Sequence, residues 1–155
     1  MTVCWRGLPI VIEPKADAAL AELPGYLLRR AASVMMAEFA TRLAPLDLRI
    51  SELTVLFVAG SGEELTSSEI GQIADIKRAN MPKLLDPLEH QGLIRREPLD
   101  GRRIAIIVTD KGEARLAEAR KVIEQFETDL LETVPTRHRA HLIPALDALR
   151  NYGKE

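Results

Sequence analysis

The run Leu88-Glu89-His90-Gln91-Gly92-Leu93-Ile94-Arg95-Arg96, continued by Asp100-Gly101-Arg102-Arg103 and closed by Val108-Thr109-Asp110-Lys111-Gly112, decides the fold. Its first part ends a helix: Met81, Leu84, Leu85 and Leu88 recur at helical spacing, and Gly92 stands where a helix closes. Beyond Gly92 the apolar period drops to two. Leu93–Pro98 and Arg102–Val108 read as strands, with Ile104, Ile106 and Val108 on one face and Asp100-Gly101 as a two-residue hairpin turn. Thr109 then suits the cap of a new helix. Helix, basic hairpin, helix is the order of a wing set beside a reading helix.

Working back towards the N-terminus, Thr66-Ser67-Ser68-Glu69 matches a capping box, in which a hydroxyl and a carboxylate each satisfy an orphan amide of the first helical turn. It predicts a short helix over Ser67–Ala74 with Ile70, Ile73 and Ala74 inward, followed after a short turn by a helix from Arg78 to Gln91. Two such helices form a helix-turn-helix. Pro82 and Pro87 fall inside the second, where each removes a backbone hydrogen bond, so that helix is expected to be kinked or displaced at Pro87 or to end early there. Upstream, Ser51–Ala59 reads as a helix capped by Ser51, with Leu53, Leu56 and Phe57 as contacts and Gly60-Ser61-Gly62 ending it. Pro24 suits a first helical turn, and Leu27, Ala31, Val34, Met35, Phe39 and Leu43 then mark one helical face that stops near Ala44–Pro45. Residues 1–23, broken by Pro9 and Pro14, read as an arm.

Downstream of the wing, a long helix from the Thr109 cap to Thr133 carries Leu116, Ala119, Ile123, Phe126 and Leu130 in one seam. Pro135-Thr136 opens a last helix with Leu142, Leu146 and Leu149, which Pro144 should bend. This seam exceeds what a small domain needs for itself and, with the first helix, offers a dimerisation surface; an intramolecular helical pair is the alternative. The fold class is therefore mostly α with a small β-hairpin wing: a winged helix-turn-helix plus N- and C-terminal dimerisation helices.

Bulk composition agrees. A chain of 155 residues with 46% hydrophobic content can pack a core without staples, and its single cysteine, Cys4, excludes an internal disulfide. Met1–Ile12 lacks the pattern of a secretory leader, and charges interrupt every apolar stretch before it could span a bilayer, so a cytoplasmic setting with no membrane partner is expected. The net charge of −2 taken alone speaks against a nucleic-acid ligand. Its distribution matters more. Residues 77–103 hold seven cations and four anions, a net +3, which leaves −5 on the remainder and allows a basic face on an acidic body.

The quoted run, with the order of elements from about residue 24 to 150, resembles the MarR family of winged-helix regulators: a leucine, a polar triplet, Gly-Leu-Ile, basic residues, an Asp-x-Arg wing tip and a Leu-Thr-x-x-Gly helix start, with Val108 where leucine is usual. The resemblance implies one MarR-like domain over residues 1–155, with 24–45 and 110–152 as dimerisation helices and 51–108 as the DNA-binding lobe. It implies a homodimer on a pseudo-palindromic double-stranded DNA operator, usually a repressor released by a small aromatic or phenolic effector. It places the reading helix on Arg78, Ala79, Asn80 and Lys83, the minor-groove arginine at Arg102 beside Arg103, and Asp100 as the residue that orients the wing arginine.

Chemistry supports these roles. Asparagine pairs twice with adenine, arginine with guanine, and a wing-tip arginine suits a narrow A·T-rich minor groove. Lys83, Ser67, Ser68 and Arg96 fit phosphate contacts that fix orientation. Each has a plainer reading: Asp100 as a local ion pair with Arg102 or Arg103, the serines as ordinary first-turn residues, Asn80 as solvated. Met35, Met36, Phe39 and Phe57 are candidates for lining an effector cleft or simply core. Cys4 near Arg6 raises redox sensing, and the His138 and His141 pair a metal, but neither has the supporting residues such sites need. No phosphate-cradling loop, nucleophile elbow or zinc-protease motif is present, so no catalytic residue, metal or cofactor is expected. With 4% aromatic residues, stacking on single strands is disfavoured. The competing function is a winged-helix protein-interaction module without specific DNA binding.

Overall fold

The computed structural model describes residues 20–152; Cys4, Arg6 and most of the expected N-terminal arm lie outside them. The chain divides into two units that meet inside the first helix, between Glu38 and Phe39.

In the first unit, a turn at Leu20–Leu23 leads into α1, Pro24–Leu43. Proline stands at its first position, where an amide hydrogen would have no helical partner. Leu27, Leu28, Val34 and Met36 are exposed, so the apolar face marked by Leu27 and Val34 is open. Ser33 Oγ donates back to the Arg29 carbonyl, 3.0 Å away.

The second unit holds the core. The end of α1 buries Leu43, and a 3-10 turn follows at Ala44–Leu46. Then come α2 (Ile50–Ala59), α3 (Ser67–Ile73), a second 3-10 turn (Arg78–Asn80), α4 (Met81–His90), the antiparallel strands β1 (Ile94–Asp100) and β2 (Arg103–Val108), α5 (Asp110–Thr133) and α6 (Thr136–Arg150). Leu56, Ile70, Leu88, Leu93 and Leu116, all but inaccessible, bring α2, α3, α4, the hairpin and the start of α5 onto one centre. Leu65 and Thr66 lengthen the small sheet: Thr66 bridges Ala105, and Ile106 N–H donates to the Leu65 carbonyl at 2.9 Å.

Several local expectations change. Helix α2 begins one residue before Ser51, because Arg49 is extended and Glu52 reaches back to accept its N–H at 2.8 Å; Ser51 is a first-turn residue and not the cap. Phe57 is 43% and Ile73 61% exposed, so neither belongs to the core. Ile104, 51% exposed, lies beyond the reach of the core near the wing tip, while Ile106 is buried and Val108 half-buried. The hairpin turn is Gly101-Arg102 rather than Asp100-Gly101, since Asp100 pairs with Arg103; Gly101 takes φ +50°, and a bulge falls between Pro98 and Asp100.

The reading helix starts later than the expected Arg78, a 3-10 turn taking Arg78–Asn80 before α4 opens at Met81. Pro82 occupies the first turn of α4, and the helix runs on past Pro87 to His90 rather than ending early. Gly92 closes it at φ +70°, with Gly92 N–H donating to the Glu89 carbonyl and Leu93 N–H to that of Leu88, both 2.9 Å. Thr109 caps α5 by accepting from Gly112 N–H at 3.1 Å. Gly112 is required there, because a Cβ would press on the Leu93 backbone and lie 2.6 Å from Val108 Cγ1. Along α5, Leu116, Ala119 and Phe126 of the seam are buried within the chain itself rather than left for a partner, and Phe126 stacks on Phe39 with ring centres 4.9 Å apart. Helix α6 continues through Pro144, and Leu146 and Leu149 on it are exposed.

Candidate nucleic-acid interface

The helix-turn-helix is built by two closures in sequence. Thr66 Oγ1 accepts from Glu69 N–H at 3.4 Å, and Glu69 Oε2 accepts from Thr66 N–H at 2.8 Å, which starts α3 as the capping box requires. Asp75 then ends it in the left-handed region, φ 53°, with Ile76 N–H donating to the Gly71 carbonyl at 2.8 Å. Gly71 lets the two helices approach: a Cβ there would stand 3.0 Å from the Ile76 carbonyl oxygen and 3.3 Å from Met81 Cγ.

This turn gathers most of the polar residues singled out in the sequence. Ser68, Gln72, Asp75, Lys77 and Arg78 surround a hollow of about 490 Å³ between α3 and the start of α4. Arg78, Ala79 and Asn80 form the exposed 3-10 turn that leads into α4, and Lys83 is exposed on its first turn. Ser67 is half-buried beside Ser68. Sequence reasoning did not single out Gln72, Asp75 or Lys77 for this surface; they become visible only once the left-handed turn at Asp75 brings them together.

The wing sorts its arginines into paired and unpaired. Arg96 is held by Asp86 at 2.8 Å and Glu89 at 3.3 Å, both on α4. Arg95 pairs with Glu97 at 2.5 Å. Arg103 pairs with Glu69 at 3.2 Å and with Asp100 at 3.5 Å, so Asp100 contacts Arg103 and not Arg102. The anions of residues 77–103 are thus matched by Arg95, Arg96 and Arg103. Among the described residues, Arg102 at the wing turn and Lys77, Arg78 and Lys83 around the start of α4 have no acidic partner. The Thr66 amide and hydroxyl, and then the Arg103 guanidinium, hold the Glu69 carboxyl below the usual glutamate range.

A separate groove of about 320 Å³ lies between α2 and α5, lined by Phe39, Ile50, Leu53, Thr54, Phe57, Val58, Ile123 and Glu127. It contains the two phenylalanines picked out from the sequence, but Met35 and Met36 are not among its lining residues. Beside it Asp129, paired to Arg42 at 2.6 Å, is held below the ordinary aspartate range, by Gln125 first and by Arg42 next. On α6, Nε2 of His138 accepts from Arg137 at 2.9 Å. Among the described residues no group of three or more His, Cys, Asp or Glu is placed to hold a metal ion, and no helix is long and apolar enough to cross a membrane.

No family model matches the sequence. A relative from Bacillus subtilis (strain 168), the uncharacterized HTH-type transcriptional regulator YdgJ, is 31% identical over 105 residues, covering 66% of this chain; the chain spans 62% of that relative's length. Among solved structures, the transcriptional repressor CouR bound to a 23-mer DNA duplex matches with a TM-score of 0.78 and 32% identity, over 86% of this chain and 96% of CouR. The Mycobacterium tuberculosis MarR family protein Rv2887, in complex with salicylic acid, matches with a TM-score of 0.65 and 26% identity, over 81% of this chain and 95% of that one. CouR bound to p-coumaroyl-CoA matches at 0.77 and 30%, over 91% and 99%. With the helix-turn-helix, the hairpin wing and the flanking helices in the same order, the chain belongs to the MarR family of winged helix-turn-helix transcriptional regulators.

Proposed function

We propose that this protein is a homodimeric, cytoplasmic regulator that binds double-stranded DNA, represses from a pseudo-palindromic operator and is released by a small aromatic or phenolic effector. The observation that carries the reading is the sorting of charge: each acid within residues 77–103 is matched by Arg95, Arg96 or Arg103, which among the described residues leaves Lys77, Arg78, Lys83 and Arg102 without an acidic partner. Arg78 and Asn80 are assigned to base edges in the major groove, and Arg102 to the minor groove. Ala79 beside them presents a methyl to thymine, while Ser67, Ser68 and Lys83 contact phosphates. Arg96 and Arg103 act chiefly by holding the wing against α4 and α3, and Asp100 by holding Arg103.

The homodimer is supported by apolar side chains left open on the two flanking helices, Leu27, Leu28 and Val34 on α1 and Ile143, Leu146 and Leu149 on α6. Rows of this kind in water mark an interaction surface. Residues 24–45 and 110–152 are accordingly assigned to the dimer and 51–108 to DNA. The effector is assigned to the groove between α2 and α5, and CouR bound to p-coumaroyl-CoA and Rv2887 bound to salicylic acid support an effector of aromatic character.

Selection from a random duplex pool with the purified full chain tests this function. The reading expects an inverted repeat with half-sites about 34–36 Å apart, one helical turn, as two-fold symmetry requires. Recovery of no preferred sequence would reject it and favour a winged-helix module that binds protein.

A further inference from the structure

The groove between α2 and α5 offers hydrogen-bond acceptors but no side-chain donor that is free. Its two polar lining side chains are Thr54 and Glu127. The Thr54 hydroxyl spends its proton on the Ile50 carbonyl, 3.0 Å away, so only lone pairs remain to face a ligand. Glu127 is exposed, and among the described residues its carboxylate has no ion pair. Two phenylalanine rings also line the wall: Phe39, packed on Phe126, and Phe57, covered on one face by Arg120.

Cations stand near this groove but do not line it. Arg42 is engaged by Asp129 at 2.6 Å, and Arg120 lies over the Phe57 ring with its guanidinium 4.8 Å from the centre. The start of α2, which opens on Ile50, is already faced by Glu52, whose carboxylate accepts the Arg49 N–H. A ligand carboxylate placed beside Glu127 would therefore meet a like charge. A ligand ammonium would meet the Glu127 carboxylate, which attracts it, at the end of the groove away from the Phe57 face that Arg120 covers.

We infer that the groove selects an effector carrying positive charge, an aromatic amine and not an aromatic acid. The inference rests on the assignment of the effector to this groove, and it sets the chain apart from Rv2887 solved with salicylic acid. A volume of about 320 Å³ suits one ring with a short charged tail.

The test compares three phenols of similar body: tyramine, which ends in an ammonium, 3-(4-hydroxyphenyl)propionate, which ends in a carboxylate, and neutral 4-ethylphenol. Their affinities are measured by calorimetry on the full chain without DNA, for wild type and Glu127→Gln. Tyramine should bind the wild type about tenfold more tightly than the acid, and Glu127→Gln should remove most of that preference while leaving 4-ethylphenol nearly unchanged. Equal or tighter binding of the acid, a preference that survives Glu127→Gln, or no binding of any of the three overturns the inference. DNA selection without ligand separates the two claims: a chain that selects an operator but prefers the acid loses only the ligand class, and one that prefers the amine but selects no DNA loses only the regulator reading.

Discussion

Arg103 Nη2 lies 3.2 Å from Glu69 Oε1, so the second strand of the wing is tied to the helix that opens the helix-turn-helix. The other oxygen of the same carboxylate accepts from the Thr66 N–H at 2.8 Å and from its hydroxyl at 2.7 Å. One glutamate thus joins a helix cap to the wing, and the wing's position is set partly by a group that titrates.

Glu69→Gln should therefore lower stability, and the loss should depend on pH. The Thr66 amide and hydroxyl and the Arg103 guanidinium depress the Glu69 pKa in the folded chain. A depressed carboxyl stabilises the fold above its unfolded value, near pH 4 for glutamate, and that contribution disappears as pH falls through the folded value. Urea unfolding should show wild type more stable than Glu69→Gln at pH 7, with the gap closing below about pH 4. A gap that is the same at pH 3 and pH 7 would contradict the assignment.

Gly112→Ala should destabilise by about 3 kcal/mol, because the added methyl would press on the Leu93 backbone, which cannot swing aside as a side chain could. Gly62→Ala makes a useful contrast: its Cβ meets nothing within 4 Å, and any loss reflects only its φ of +89°. Thermal denaturation of the two variants should place Gly112→Ala lower.

Leu88→Ala removes a fully buried side chain between α4 and the wing and should cost about 3 kcal/mol by lost transfer energy and a residual cavity. A loss below about 1 kcal/mol in denaturant titration would mean that the core around α4 relaxes around the gap.

Asp75→Gly should raise both stability and DNA affinity. Glycine adopts the left-handed conformation without a Cβ penalty, a gain of about 0.5–1 kcal/mol. It also removes a negative charge from the hollow that Lys77 and Arg78 line. Tighter binding with a steeper salt dependence is expected in anisotropy titrations. Unchanged or weaker binding would place Asp75 outside the DNA-facing surface.

Much of this architecture is legible in the sequence because its signals are local. Thr66-Ser67-Ser68-Glu69, Gly92 and Thr109 act through bonds to residues one turn away, and each sits in the structure where its own chemistry puts it. What the sequence conceals is long-range. Ile73 and Phe57 fit a helical stripe, but which side of a short helix meets the core depends on partners far along the chain. Asp100 pairs with Arg103 because a bulge between Pro98 and Asp100 moves the turn to Gly101-Arg102, a register that a Asp-Gly pair does not predict. The charge count in residues 77–103 points to a basic face, yet only the fold separates Arg96 and Arg103, held by acids, from Arg102, which has none among the described residues.

The most direct test of DNA binding through the wing and reading helix is a fluorescence anisotropy titration of the selected duplex at several salt concentrations, comparing wild type with Arg102→Ala. The predicted result is tight wild-type binding that weakens steeply with salt, and a variant about tenfold weaker with a slope shallower by about one. Binding that is weak, insensitive to salt and unaffected by Arg102→Ala would contradict the account.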